Sequence, residues 1–153
     1  MDIGDLITPG GVIANLRVAN KKQALQELAR RAAPVVGRDD HTIYETLLER
    51  ERLGTTGIGM GTAVPHGRLA GLSRLYGLFA RLEKPIDFEA IDDRPVDLIF
   101  LLLTPEGSGA DHLKALARVA RLLRDSSIAH KLRASRDAEA LYAVLAMPSA
   151  SAA

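Results

Sequence analysis

The sequence predicts an α/β layered domain, and three observations indicate this class. Segments with the alternation of strands are interleaved with segments of helical periodicity. One strand candidate, Val96 to Leu103 (VDLIFLLL), is almost wholly apolar, as expected for a central strand that is covered on both faces. The chain has 153 residues without an internal repeat or linker, a length that can bury the core of one domain. We place this domain at residues 1–148 and expect a frayed tail at 149–153.

The first part of the chain predicts one strand and two helices. Val12 to Arg17 (VIANLR) alternates apolar and polar residues, which is typical of a short strand. Asn20 can cap a following helix that ends at Gly37, because apolar residues recur at spacings of three and four between them. A second helix starts at Asp39 or Asp40. Its predicted buried stripe consists of Ile43, Tyr44, Leu47 and Leu48.

The second part predicts further strands and three helices. Thr62 to Val64 and Leu75 to Leu82 have the character of strands. The stretch EKPIDFEAIDDRP, rich in charged and turn-forming residues, predicts an exposed connection to the apolar strand. Ser108 with Asp111 three residues later resembles a capping box at the start of a long helix. The predicted buried face of that helix consists of Leu113, Leu116, Ala117, Ala120 and Leu123. Two shorter helices follow, near Ile128 to Ala134 and Ala138 to Ala146.

Composition and charge exclude several classes of protein. The chain has no cysteine, which excludes disulfides and thiolate metal sites. Its 20 basic and 19 acidic residues give a net charge of +1 without a basic block, which argues against a nucleic-acid partner. The longest apolar run, Leu98 to Leu103, is too short to cross a bilayer, and the start of the chain lacks the regions of a signal peptide. We therefore expect a soluble, cytoplasmic protein with no membrane insertion.

The segment TTGIGMGTAVPHGRL, residues 55–69, surrounds the pair Pro65–His66 with four glycines. These are Gly57, Gly59, Gly61 and Gly67. Such a density of glycine indicates unusual backbone angles or a close approach of the backbone to a neighbour or ligand. The nucleotide P-loop, the dinucleotide fingerprint and the nucleophile elbow are all absent. A neutral imidazole is a good nucleophile, and glycine N–H groups can bind a phosphoryl group. The alternative is a structural histidine in a tight turn, and the segment alone leaves both open.

A longer stretch, ERERLGTTGIGMGTAVPHGR, closely resembles the active-site segment of the enzyme IIA domains of the bacterial phosphoenolpyruvate-dependent phosphotransferase system. The resemblance is to the fructose/mannitol type, and above all to its nitrogen-regulatory member. It covers nearly the whole chain, because IDDRPVDLIFLLLTP and HLKALARVARLL follow in the expected order and spacing. It implies a three-layer α/β/α sandwich on a mixed β-sheet. One departure is Met60, where the family often has an asparagine, so any hydrogen bond of that side chain would be lost.

The resemblance implies functional roles for three residues. The histidine of the Pro-His-Gly segment, His66, would accept a phosphoryl group, and Arg50 of the R-E-x-L-G segment and His112 of HLKAL would lie at the site. From the residues alone, Arg50 belongs to an alternating charge run of the kind that usually forms a solvated helix end. His112 would lie in the first turn of a helix, where the dipole favours anions and lowers the pKa of a histidine. We expect Arg50 and His112 near the surface, and His41 and His130 exposed to solvent.

The function that the resemblance implies is that of a phosphocarrier and regulator without a metal or cofactor. His66 would take the phosphoryl group from a histidine phosphocarrier protein of the HPr or NPr type, while Arg50, His112 and the glycine segment stabilise the negative charge. Regulated partners in this branch include potassium-transport components and sensor kinases. Two alternatives are a sugar-specific enzyme IIA that passes phosphate to an enzyme IIB, and a non-catalytic binding module of the same fold.

Overall fold

The computed structural model describes residues 2–147, and within them it contains six β-strands, five α-helices and two short 3-10 helices. The strands are β1 (Val12–Leu16), β2 (Gly57–Gly59), β3 (Thr62–Ala63), β4 (His66–Leu69), β5 (Tyr76–Ile86) and β6 (Val96–Pro105). The helices are α1 (Lys21–Val36), α2 (Asp40–Arg52), α3 (Gly109–Arg124), α4 (Ser126–Ala134) and α5 (Ala138–Ala146). None of these helices is both long enough and apolar enough to cross a membrane. The tail predicted at 149–153 lies outside the described residues.

The six strands form one mixed sheet in the order β1-β5-β6-β3-β2, with β4 also paired to β6. Strand β6 is antiparallel to β5 and parallel to β3 and β4. Alternate side chains of β6 point to opposite faces of the sheet, so the strand contributes to two separate cores. Leu98, Phe100 and Leu102 pack with α3, α4 and α5, whereas Ile99, Leu101 and Leu103 pack with α1 and α2. The predicted three-layer α/β/α sandwich is confirmed.

Local capping signals position the first two helices as predicted. The Asn20 side chain accepts a hydrogen bond of 2.9 Å from the backbone N–H of Gln23 at the start of α1. Gly37 ends that helix in the left-handed region with φ of 67°. Asp39, rather than Asp40, caps α2 by accepting from the backbone N–H of Thr42. The α2 helix therefore starts one turn past α1 and runs toward the glycine-rich segment.

The start of α3 differs from the prediction. The Ser108 hydroxyl donates to the carbonyl of Pro105 at 2.7 Å instead of accepting from the helix, so the predicted capping box is wrong. The buried face is also different, since Leu113 is 65% exposed and Ala117 is exposed as well. The buried residues of α3 are His112, Ala115, Val119 and Leu123. Apolar residues lie on both sides of this helix in the sequence, and packing against β6 selected one side.

The connection before β6 is only partly exposed, which corrects the prediction for EKPIDFEAIDDRP. Strand β5 continues to Ile86, and its side chain and those of Phe88 and Ala90 are buried between exposed charged neighbours. Buried and exposed side chains alternate as far as Ala90, although Glu89 lies in the left-handed region with φ of 57°. The composition of charged residues hid this alternation, because every second side chain points to solvent.

Candidate active site

His66 is the first residue of β4 and not the end of a flexible loop. Strand β4 pairs in parallel with β6, and His66 lies opposite Leu102 in the register. The backbone N–H of Leu102 donates to the carbonyl of Pro65 at 3.0 Å. The sheet therefore fixes the backbone immediately before and after His66, and the half-buried imidazole projects from a rigid element.

The two ring nitrogens of His66 have different partners. Its Nδ1 lies 2.9 Å from the carbonyl oxygen of Val64, and Nε of Arg50 donates to its Nε2 at 3.1 Å. A carbonyl can only accept and a guanidinium can only donate, so these contacts require the proton on Nδ1 and a lone pair on Nε2. In this tautomer Nε2 carries the lone pair that could act as a nucleophile.

The surroundings of His66 favour the neutral ring. Burial is the largest effect and lowers the pKa of His66, and the positive charge of Arg50 acts in the same direction. The hydrogen bond to the Val64 carbonyl and the negative charge of Glu51 oppose this shift without cancelling it. These effects together favour the unprotonated imidazole at neutral pH.

Arg50 lies in the last turn of α2 and is half-buried rather than fully solvated. Its Nη1 donates to the carbonyl of Gly54 at 2.8 Å while its Nε contacts His66, so both ends of the guanidinium are held. Helix α2 reaches this position because Gly67 lacks a side chain. A Cβ at Gly67 would lie 2.6 Å from Cγ2 of Thr46 on the helix. The absence of a side chain at Gly67 therefore lets α2 pack closely enough on β4 for Arg50 to contact His66.

His112 lies in the first turn of α3 and is only 5% exposed, so the expectation of a surface position is wrong. Its ring centroid is 5.4 Å from that of His66, with the ring planes tilted by 58°. Its Nδ1 lies 2.8 Å from the hydroxyl of Thr104, which is fully buried on β6. Burial lowers the pKa of His112, and the charges of His66, Arg68 and Arg50 add to the effect. Helix α3 presents His112 inward because it shares a face with Ala115 and Val119.

Known proteins resemble this chain over almost its whole length. The family model described as phosphoenolpyruvate-dependent sugar phosphotransferase system, EIIA 2, matches residues 5–147. The chain belongs to this EIIA 2 family. A nitrogen regulatory protein of Bradyrhizobium diazoefficiens is 61% identical over 153 residues, which cover 100% of both chains. One of Pseudomonas aeruginosa is 39% identical over 92% of both chains. The crystal structure of nitrogen regulatory protein IIA-Ntr from Neisseria meningitidis has a TM-score of 0.89 at 35% identity, covering 94% of this chain and 98% of that one.

Two residues beside His66 and His112, namely Thr104 and Arg68, were not predicted from the sequence. Thr104 contacts His112, and a threonine directly after the apolar run of β6 was a visible signal, because a buried hydroxyl needs a partner. Arg68 lies two residues after His66 on β4, and its positive charge lowers the pKa of both His66 and His112. The period of two along a strand places Arg68 on the same side as His66, once that segment is known to be a strand.

The four glycines of the segment are all buried, and each has a backbone or packing reason that is independent of a ligand. A Cβ at Gly57 would lie 2.8 Å from Ala90, and Gly59 and Gly61 have φ of +99° and +76°. Their role in binding a phosphoryl group stays a prediction. His41 and His130 are exposed, as predicted. Within residues 2–147, no group of three or more His, Cys, Asp or Glu side chains is placed to hold a metal ion.

Met60 lies at the turn between β2 and β3, in the left-handed region with φ of 58°. Its backbone N–H donates to Asp92 at 2.9 Å and its carbonyl accepts from Arg133 at 2.8 Å, so the turn is anchored on both sides. The side chain is 45% exposed. Asparagine adopts this conformation more readily than methionine does. The departure at Met60 therefore concerns backbone strain in addition to a lost polar side chain.

Proposed function

We propose that this protein is a phosphocarrier of the nitrogen-regulatory branch of its family and that His66 accepts the phosphoryl group on Nε2. The observation that carries the proposal is the pair of contacts of the His66 ring. Val64 holds the proton on Nδ1, and the lone pair of Nε2 faces the guanidinium of Arg50. A phosphoryl group arriving at Nε2 would thus meet a neutral nucleophile beside a fixed positive charge.

The transfer is a displacement at phosphorus between two histidines. The Nε2 lone pair of His66 forms the new P–N bond while the P–N bond of the donor phosphohistidine breaks, and the donor ring, protonated on its other nitrogen, leaves as neutral imidazole. His66 keeps its proton on Nδ1 and becomes positively charged. The Val64 carbonyl accepts the hydrogen bond from that N–H and stabilises the charge. No nucleotide or metal is required by this balance.

The phosphoryl group brings about 1.5 to 2 negative charges and three acceptor oxygens. Arg50 would exchange its contact with Nε2 for a phosphoryl oxygen while Nη1 stays on Gly54. Arg68 supplies a second positive charge close to both rings. If the Thr104 hydroxyl donates to Nδ1 of His112, the other ring nitrogen carries a proton that can be donated to the phosphoryl group. Arg50, Arg68 and His112 would thus provide hydrogen bonds in place of the water molecules that hydrate the phosphoryl group outside the site.

The phosphoryl donor in this proposal is a histidine phosphocarrier protein of the HPr or NPr type. The regulated targets are proteins that bind according to the phosphorylation state, such as potassium-transport components or sensor kinases. The nitrogen regulatory relatives support this branch. The family description also names sugar transport, so onward transfer to an enzyme IIB is the second candidate. The two candidates differ in the fate of the phosphoryl group. In the regulatory candidate it stays on this protein, whereas in the sugar-transport candidate it passes to an enzyme IIB.

The proposal is tested by incubation with phosphoenolpyruvate, enzyme I and the phosphocarrier, followed by intact mass measurement. We expect the mass of one phosphoryl group to be added, and the adduct to be labile in acid and stable in base. The His66→Ala variant should gain nothing, while His130→Ala, which removes an exposed histidine, should be labelled like the wild type. Labelling of a folded His66→Ala variant would overturn the assignment.

Regulation is tested by the affinity of a target for the two forms. The phosphoprotein and the unmodified protein should bind a regulated target with different affinities, because burying a dianion is costly unless the partner offers donors. His66→Asp provides a crude charge mimic and His66→Ala a neutral form. Equal binding of all forms, together with transfer to an enzyme IIB, would favour the sugar-transport candidate.

A further inference from the structure

Glu51 is a buried carboxylate that the phosphoryl transfer does not use. Its side chain is only 4% exposed, and it follows Arg50 in the last turn of α2. Its Oε1 accepts from Nζ of Lys21 at 2.9 Å and from the backbone N–H of Thr56 at 3.0 Å, and its Oε2 accepts from the Thr56 hydroxyl. Lys21 also lies over the ring of Phe88, 4.7 Å from its centroid. Burying a carboxylate is costly, and here Lys21 and Thr56 compensate that cost. An arrangement with this many partners suggests that Glu51 positions a neighbouring residue.

Thr56, which Glu51 binds, is connected to His66 by a series of hydrogen bonds. Both donors of Thr56, the N–H and the hydroxyl, are bound to Glu51. The carbonyl of Thr56 accepts from the backbone N–H of Val64 at 2.9 Å. The carbonyl of Val64 in turn accepts from Nδ1 of His66 at 2.9 Å. Thr56 and Val64 thus each have both their backbone N–H and their carbonyl engaged, which holds the backbone of both residues in place.

We propose that Glu51 and Thr56 are positioning residues for His66: they orient the Val64 carbonyl that selects the Nδ1–H tautomer and directs Nε2 toward the incoming phosphoryl group. This inference rests on the proposed function. Val64 lies between β3 and β4. Its backbone N–H is held by the Thr56 carbonyl, and its own carbonyl, in the peptide that precedes Pro65, accepts from the ring of His66. Without Glu51 and Thr56, the ring could exchange the carbonyl for water and populate the other tautomer.

The charge of Glu51 supports the same role. It is one of the influences that raise the pKa of His66, against the larger lowering by burial. A more basic nitrogen is a better nucleophile, provided that it remains unprotonated. The ion pair with Lys21 offsets the cost of burying the carboxylate, and it also ties the start of α1 to the end of α2.

The tautomer can be measured in the free protein, without any phosphotransfer. Proton–nitrogen correlation spectra of protein with 15N-labelled histidine, recorded where the ring is neutral, distinguish the two tautomers of His66. We expect the wild type to show the Nδ1–H form. Thr56→Val keeps the shape and the backbone donor but loses the hydroxyl. Glu51→Gln loses the charge and replaces one of the two acceptor oxygens by an NH2 donor, so the donors of Thr56 and Lys21 can no longer all be satisfied. Both variants should show a mixture of tautomers and accept a phosphoryl group about 10- to 100-fold more slowly, the scale expected for a misplaced reacting group.

Thr62→Val is the matched control. Thr62 is fully buried in the same segment, and its hydroxyl donates to the carbonyl of Gly59 at 2.8 Å, apart from the line to His66. We expect this variant to lose stability while keeping the wild-type tautomer and rate. Thr56→Ser keeps the hydroxyl that Thr56→Val loses, so it should show the wild-type tautomer and rate. This comparison holds even if Glu51→Gln fails to fold.

Wild-type tautomer and rate in Thr56→Val would overturn the inference, as would an equal tautomer change in Thr62→Val. These outcomes are separate from the failure of the proposed function. If the wild type itself accepts no phosphoryl group, the proposed function fails, while the tautomer measurement still decides whether Glu51 and Thr56 position the ring.

Discussion

The imidazole rings of His66 and His112 lie 5.4 Å apart, centroid to centroid, although they come from opposite ends of the site, one from β4 and one from α3. Burial lowers the pKa of both, and a charge on His66 would lower the pKa of His112 further. Two protonated rings at this distance would repel each other in a partly dehydrated site. The surroundings of the pair therefore favour the neutral form of both rings, as the proposed role of His66 as a nucleophile requires.

This pair predicts a pH dependence of stability. The unfolded chain titrates these histidines near pH 6.5, whereas the folded protein does so at lower pH, so the unfolded state binds more protons between the two values. The contribution of these two histidines to the free energy of unfolding should therefore be complete above about pH 7 and decrease as the pH falls below about 6.5. Urea unfolding across this range should show a smaller decrease for His112→Gln than for the wild type. The exposed His130→Gln is the control, and an identical slope for wild type and His112→Gln would contradict the prediction.

Replacing Arg50 should slow phosphotransfer with little effect on the fold. Arg50→Ala removes the donor at Nε2, and the loss of one such charge-stabilising donor commonly costs about 100-fold in rate. Arg50→Lys should recover only part of the rate, because an ammonium cannot contact Gly54 and the phosphoryl group with a planar fork. Rates of transfer from the phosphorylated carrier would be measured by quenched flow. Arg52→Ala is the matched control, since Arg52 is exposed and pairs only with Glu49 among the described residues. Equal rates for Arg50→Ala and Arg52→Ala would count against a role for Arg50.

His112→Ala should affect both stability and rate, because the side chain is buried. The substitution leaves a cavity and removes the partner of the Thr104 hydroxyl, which should lower the free energy of unfolding by about 1–3 kcal/mol. Chemical denaturation measures this loss, and phosphotransfer kinetics at a temperature where the variant is folded measure the second effect. Leu113→Ala changes the neighbouring exposed residue and should stay within about 0.5 kcal/mol of the wild type. A His112→Ala variant as stable as Leu113→Ala would show that the imidazole is not packed as described.

Met60→Asn should stabilise the protein. The left-handed conformation at φ of 58° is unfavourable for methionine and is adopted more readily by asparagine, which suggests a gain of about 1 kcal/mol. Thermal unfolding should show a higher Tm, while Met60→Leu, which keeps the strain, should show none. A gain in phosphotransfer rate without a gain in Tm would instead indicate that the amide acts at the site.

Gly67→Ala should separate Arg50 from His66. The added Cβ would lie 2.6 Å from Cγ2 of Thr46, so α2 must move away from β4, at a cost of about 1–3 kcal/mol. The double variant Gly67→Ala/Thr46→Ser removes the clashing methyl group and should recover most of the stability and rate. Gly109→Ala, where no atom lies within 4 Å of the added Cβ, provides the neutral comparison. Failure of Thr46→Ser to rescue would place the cause of the damage elsewhere.

Much of this protein was determined by the sequence alone, because the signals involved are local. Asn20 and Gly37 bound α1 through contacts within one turn of the helix, and the apolar run of β6 indicated a strand covered on both faces. Those signals suffice for the α/β class. The resemblance to a family then supplied His66, Arg50 and His112, and the structure places both Arg50 and His112 beside His66.

Only the tertiary structure decided which face of α3 is buried, that Phe88 lies in the core, and that Gly67 serves the approach of α2 to β4. It also decided that Glu51 is connected to His66 through the backbones of Thr56 and Val64. These features depend on atoms that are distant in sequence and meet only when the layers pack. Residue periodicity specifies which side chains share a face, but the free energy of packing against the neighbouring element selects the face that is buried.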